Sequence, residues 1–112
     1  MFQIDEENTA ATILRVGCDI DVGRSEAFCD AIRTAAALGP APLVVMLDDC
    51  PYFDCSGVRV LVTMRRVLGS RLLTVVAAGG TTHRIFDILG LIGPLEIATT
   101  LEGAMGRTTA LA

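Results

Sequence analysis

The sequence contains no lysine and no tryptophan, and only one histidine and one tyrosine. Its nine basic residues are therefore all arginines. They are scattered along the chain, and the longest basic run is the pair Arg65-Arg66. Thirteen acidic residues outnumber them and give a formal net charge of −4. A net-acidic chain without a basic patch excludes nucleic acid as an expected partner, because phosphate neutralisation supplies most of that affinity. No apolar stretch approaches the roughly 20 residues of a membrane span; the apolar runs are short, such as residues 43–47 and 72–78. The opening Met1-Phe2-Gln3-Ile4-Asp5-Glu6-Glu7 lacks the basic and apolar regions of a signal peptide, so a cytoplasmic location without membrane insertion is expected. The cysteines at 18, 29, 50 and 55 form no CxxC pair and have no clustered histidine beside them. They read as small buried hydrophobes rather than as a zinc site or a disulfide framework, and neither metal nor cofactor is expected. Internal repeats, low-complexity runs and linker-like segments are also lacking.

What is present is apolar surface: 52% of the 112 residues are hydrophobic. That length suits one domain, residues 1–112, and is enough to bury roughly two thirds of the unfolded surface. Residues 2–4 and 11–16 read as strands, with the acidic turn at residues 5–8 making them a hairpin. Residues 25–38 read as a helix with Phe28, Ile32, Ala35 and Leu38 on one face. Ser25 is the expected cap, and Gly39-Pro40 the expected stop. The unbroken apolar run at residues 43–47 suits a strand covered on both faces. A helix over residues 56–68 ending at Gly69, a strand over 72–78, a helix over 82–89 ending at Gly90 and a short strand over 95–98 follow. Thr99 and Glu102 have capping-box spacing for a last helix, which Gly103 and Gly106 weaken. The order ββαβαβαβα predicts an α/β fold, with a mixed, mostly parallel sheet and crossover helices. Sites in such sheets lie where strand C-termini meet helix N-termini, which nominates residues 18–25 and 48–57.

The second of these carries Asp54-Cys55-Ser56-Gly57. Asp54 or Ser56 can cap free backbone N–H groups at the helix start, and the positive end of the helix favours an anion there. On the helix that follows, Val58, Val62 and Arg65 form a stripe more apolar than a solvated face requires, so an exposed contact strip is expected. His83 stands four residues before Asp87 and reads as an exposed pair. Gly79-Gly80-Thr81 lacks the spacing and the lysine of a phosphate loop. The remaining Phe residues and Tyr52 read as core or rim.

Three blocks in this order resemble the STAS domain, the fold of anti-sigma-factor antagonists. Leu43-Val44-Val45-Met46-Leu47 is similar to the family's apolar strand. Phe53-Asp54-Cys55-Ser56-Gly57-Val58 is similar to its Asp-Ser-Ser/Thr-Gly-Leu motif. Arg84-Ile85-Phe86-Asp87-Ile88-Leu89-Gly90-Leu91 is similar to its helix ending in a small residue, Gly and Leu. Upstream, Gly17-Cys18-Asp19-Ile20-Asp21 is similar to its Gly-x-hydrophobic-Asp turn. The resemblance implies a regulatory binding module and not an enzyme. It implies as partner an anti-sigma factor, a serine kinase with a GHKL-type ATPase fold, whose capture releases a sigma factor. In the family, phosphorylation of the first hydroxyl residue after the motif aspartate ends the interaction, and the phosphate adds roughly −1.5 to −2 charges to a contact surface.

Here that position is Cys55, and a thiol is not a serine kinase's substrate. The candidate phosphoacceptor is Ser56, which a one-residue step turns by roughly 100° around the helix. Three readings follow: Ser56 is phosphorylated, the chain binds without a phosphate switch, or Cys55 is a redox switch favoured by its helix N-terminus. The candidate partner-binding residues are Asp21, Asp54, Cys55, Ser56, Gly57, Val58, Arg59 and Val62. An alternative is a stand-alone STAS subunit docking on the ATPase of an ABC-type membrane transporter. A third is a hydrolase using Cys55 or Ser56 as nucleophile, with His83 brought near by folding.

Overall fold

The structure, a computed structural model, describes residues 1–6 and 10–111, with side chains through residue 106. A five-stranded sheet is built from β1 (Phe2–Asp5), β2 (Thr12–Val16), β3 (Leu43–Met46), β4 (Leu72–Val75) and β5 (Ile97–Ala98), in that spatial order. β1 is antiparallel to β2, and every later pair is parallel. Between them run α1 (Ser25–Ala36), α2 (Cys55–Leu68) and α3 (Thr81–Ile88), and α4 (Leu101–Leu111) follows β5. The expected element order is therefore the observed one. Of the turn expected at residues 5–8, Asp5 is the last residue of β1, and residues 7 and 8 lie outside the described residues.

Strand alternation divides the core in two. Ile4, Leu14, Val45, Thr74 and Ile97 form one row across all five strands. Leu14, Val45 and Ile97 of that row are buried together with Phe28 and Ile32 of α1, Leu61 and Met64 of α2, and Phe86 of α3. The opposite face contributes Ile13, Val44, Leu73 and Val75, which pack with Ala104 of α4. The run at residues 43–47 lacks polar alternation because helices cover both of its faces. Four phenylalanines link the layers on the first face: ring centroids are 6.2 Å apart for Phe2–Phe28, 5.9 Å for Phe28–Phe53 and 5.7 Å for Phe53–Phe86.

α1 ends at Ala36, short of the expected Leu38, which is exposed, and three helix caps also differ from expectation. Ser25 is the first helical residue and not the cap; Arg24 holds the cap position, and Ser25 Oγ donates to the Val22 carbonyl at 3.2 Å. Gly39 does not take the left-handed conformation expected of a helix stop. Its role is replaced by Arg71, whose guanidinium donates to the carbonyls of Ala36 and Ala41, at 3.0 and 3.1 Å, and of Gly39. At α4 the cap is Thr100 and not Thr99: Thr100 Oγ1 accepts from the Gly103 N–H at 3.0 Å. Gly69 and Gly90 do end α2 and α3 with φ of 60° and 70°, a region open to glycine at no steric cost.

A second arginine joins elements that no local pattern connects. Arg65, on α2, donates through Nη1 to the carbonyls of Leu72 at 3.0 Å and Leu95 at 3.1 Å. Its Nη2 lies 3.3 Å from the Glu96 carboxylate. Glu96 itself has φ of 51°, the single non-glycine residue in the left-handed region among those described.

Candidate functional site

The two segments nominated from sequence are brought together by a parallel bridge between Ile20 and Phe53. The Ile20 N–H donates to the Tyr52 carbonyl at 2.8 Å, and the Asp54 N–H donates to the Ile20 carbonyl at 3.2 Å. Both bridging side chains are buried, so the loop after β2 and the loop after β3 are anchored in the same core. Asp21 and Asp54, the residues that directly follow the bridge, are therefore neighbours on the surface.

Asp54 is extended and caps α2: its Oδ1 accepts from the Ser56 N–H at 2.8 Å. Its backbone carbonyl accepts from the N–H groups of Gly57 and Val58. Asp21 does the equivalent at the other loop, where Oδ1 accepts from the Arg24 N–H at 3.1 Å. Substituting Asp54 by alanine is expected to cost about 1 kcal/mol, the usual loss for an N-cap side chain. Asn at the same position retains an acceptor oxygen and is expected to lose only a few tenths. Urea unfolding of the two variants checks the difference. Equal midpoints would show that the carboxylate does not act as a cap.

Helix geometry then separates the residues of the motif. Cys55 is exposed and faces solvent. Ser56 is half-buried and lines a cleft of 240 Å³ between α1 and α2, with Val22, Ser25, Cys29, Arg59 and Thr63. The rotation expected between consecutive helical residues is realised: one hydroxyl-sized side chain points out and the next points in. Gly57 is buried against the ring of Phe53. A Cβ added there would meet Phe53 Cε1 and Cζ at 2.5 Å and Ile20 Cγ2 at 2.9 Å.

The expected apolar contact strip is corrected at Val58. This residue is 5% exposed and belongs to the core, because α2 is set more deeply into the sheet than its sequence pattern suggested. Val62 is half-buried and packs against the same core. The apolar surface beside the motif comes instead from Val22, which the sequence pattern did not single out, and from Tyr52, expected in the core or at its rim; they are 81% and 52% exposed. The available signal was loop position: Val22 lies two residues after Ile20 and Tyr52 directly before Phe53, the apolar residues that turn inward. Arg59 is exposed at the rim of the cleft.

His83 is half-buried on α3, forms no ion pair with Asp87 and does not line the cleft beside Ser56. Among the described residues, no group of three or more His, Cys, Asp or Glu side chains is placed to hold a metal ion. A second cleft, of 160 Å³, lies at the C-terminal ends of β3 and β4 between Asp48, Cys50, Gly80 and Thr81. Partial burial and the adjacent Asp49 raise the Asp48 carboxyl above its ordinary range, with Arg15 acting in the opposite direction. Cys50 is buried, and its Sγ donates to the carbonyls of Cys18 at 3.2 Å and Tyr52 at 3.1 Å. Burial pushes its thiol up. A shallow depression on the outer side of β1 and β2, lined by Gln3, Asp5 and Arg15 among others, shares no residue with the motif loops.

Comparison with known proteins places this geometry. Residues 3–104 match the family model of the STAS domain. The anti-sigma-F factor antagonist RsfB of Mycobacterium tuberculosis is 26% identical over 100 residues, covering 88% of this chain and 82% of the relative. Among solved structures, an anti-sigma factor antagonist from Mycobacterium paratuberculosis superposes with a TM-score of 0.82 at 22% identity, over 96% of this chain and 92% of the other. The Bacillus antagonist SpoIIAA in its unphosphorylated form superposes with a TM-score of 0.72 at 21% identity, over 100% and 99%.

Proposed function

The chain belongs to the STAS domain family, and from that premise we propose that it is a cytoplasmic anti-sigma-factor antagonist, a binding protein without catalytic activity. The observation that carries the reading is the surface at the start of α2, where two anchored loops present Asp21, Val22, Tyr52, Asp54 and Cys55 side by side. Acidic caps flanked by exposed apolar side chains suit a protein partner, with the apolar groups supplying burial and the carboxylates supplying orientation. The M. tuberculosis relative is an anti-sigma-F factor antagonist, which supports an anti-sigma factor as partner and favours this reading over a transporter subunit. A GHKL-type serine kinase fold in that partner is part of the proposal.

The same geometry favours binding without a phosphate switch. The outward position that a kinase would reach is a thiol, Cys55, and the adjacent hydroxyl, Ser56, is turned into the cleft against α1. Incubation with the partner kinase and ATP, followed by intact-mass and peptide analysis, tests both levels. The wild-type chain is expected to bind and to gain no phosphate. Cys55→Ser is expected to gain one phosphate at position 55 and to lose affinity by tenfold or more. Phosphate on Ser56 of the wild-type chain would overturn the unswitched reading. Absence of binding to any anti-sigma factor encoded with it would overturn the antagonist reading itself.

A further inference from the structure

Four free thiols occur in the chain, and two of them converge. Cys18 lies in the loop after β2 and Cys50 in the loop after β3, 32 positions apart in sequence. The Cys50 sulfur is 3.2 Å from the Cys18 carbonyl oxygen. A carbonyl oxygen lies about 2.4 Å from its own Cα, so the Cα of Cys18 is within about 5.6 Å of that sulfur. In a formed disulfide the corresponding distance is about 4 Å. Closing the bond takes a shortening of this distance by at most about 2 Å, with the Cys18 side chain turned toward the Cys50 sulfur. Cys50 is a buried member of the main core cluster, and Cys18 is half-buried and packs against that cluster. The other two thiols are engaged elsewhere. Cys29 contacts the Met64 sulfur at 3.9 Å in the packing of α1 on α2, and Cys55 faces solvent at the start of α2.

We propose that Cys18 and Cys50 are a thiol pair that hydrogen peroxide converts to an intramolecular disulfide, tying the loop that carries Asp21 to the loop that carries Asp54. Cys18, the more accessible of the two, reacts first. Its thiolate attacks one peroxide oxygen, the O–O bond breaks, and hydroxide leaves as Cys18 becomes a sulfenic acid. Cys50 then gives up its proton and attacks the Cys18 sulfur. The S–O bond breaks, and the departing hydroxide takes up a proton to become water. Two thiols are oxidised by two electrons, and one peroxide is reduced to two waters. The cross-link lies just before the bridge between Ile20 and Phe53 on both segments, so it fixes the spacing of the two loops in addition to constraining the unfolded chain.

The test requires no partner, so its outcome is independent of the antagonist reading. The full chain carrying Cys29→Ser and Cys55→Ser is treated with hydrogen peroxide, alkylated, cleaved at arginine and analysed by mass without reduction. The expected product is the peptide of residues 16–24 joined to that of residues 34–59, with both alkylation sites lost. The urea midpoint is expected to rise by about 1 M and to return to its starting value with dithiothreitol. Exchange of the Ile20 and Asp54 N–H groups is expected to slow at least threefold in the oxidised form. Cys18→Ser, which keeps the backbone carbonyl that Cys50 contacts, is expected to remove all three changes and to retain the native fold by circular dichroism. Full alkylation of both thiols after peroxide, a cross-link found only between molecules, or Cys18 accumulating as sulfinic acid would each overturn the proposal.

Discussion

Gly57→Val is expected to be the most damaging single change at the motif, lowering stability by about 3 kcal/mol and removing partner binding from the remaining folded fraction. The first carbon of any side chain at this position would stand 2.5 Å from two ring atoms of Phe53 and 2.9 Å from Ile20. Flexible neighbours can yield to such contacts, but these cannot readily do so. The Phe53 ring is 3% exposed and held edge-on against Phe28 and tilted against Phe86. Ile20 is fully buried and its backbone is fixed by the bridge to Phe53. Relief must come from moving the start of α2 away from the loops, which separates Asp54 from Asp21. Gly57→Ala has two opposed terms. Alanine gains about 1 kcal/mol of helix propensity over glycine, while overpacking a tight site costs roughly 1–3 kcal/mol. The net is expected to be a smaller destabilisation, about 1 kcal/mol, with weakened but measurable binding. Urea midpoints and titration against the anti-sigma partner give both quantities. An unchanged midpoint in the valine variant would mean that the helix start is far less constrained than its contacts indicate.

That glycine also shows how far sequence reasoning reached. Its presence after Asp54-Cys55-Ser56 was visible, and so was the resemblance that made it part of a motif. Its reason was not. Glycine is commonly required for a left-handed φ, yet Gly57 does not have one, and its requirement is space. The space is set by Phe53 and Ile20, residues from two different loops. Periodicity did better where a residue's fate depends on its immediate neighbours. The unbroken run at residues 43–47 announced a strand covered twice, and Gly69 and Gly90 ended their helices as the local pattern indicated. Reading failed where a distant group overrode the local signal. Gly39 is relieved of its left-handed role because Arg71 satisfies the carbonyls there. Val58 was assigned to an exposed face because the depth of α2 is decided by the sheet beneath it and not by the spacing within the helix. Thr100 caps α4 one position later than the pattern suggested, since Thr99 and Thr100 are indistinguishable as residue types.

Arg65→Met is expected to cost about 3 kcal/mol while leaving the affinity of the folded protein for its partner nearly unchanged. The arginine is the tie between the end of α2, the start of β4 and the segment entering β5. Its side chain is 17% exposed, and it donates to two main-chain carbonyls as well as to Glu96. Hydrogen bonds from a charged donor contribute roughly 1.5–3 kcal/mol each, and removing the donor strands the carbonyls of Leu72 and Leu95. The loss falls on a weak place, because β5 is only two residues long and has little ladder of its own. Breaking a fully buried ion pair would cost roughly 3–5 kcal/mol; the Glu96 side chain is 31% exposed, but its Oε2 is buried without a hydrogen-bond partner, so water reaches only part of the carboxylate. Glu96→Gly tests the ion pair together with the backbone conformation at this position. It removes the ion pair but also relieves the left-handed φ of 51°, and the two effects are expected to cancel to within about 1 kcal/mol. Arg65 stands eight positions along α2 from Gly57, the last residue of the motif, a rise of roughly 12 Å. The contrast with Gly57→Val is therefore diagnostic. Both variants should unfold at lower urea, but at concentrations where each is folded only the glycine variant should fail to bind. If Arg65→Met abolished binding while remaining folded, the contact surface would have to extend down α2 to its far end, and the start of the helix would no longer account for recognition by itself.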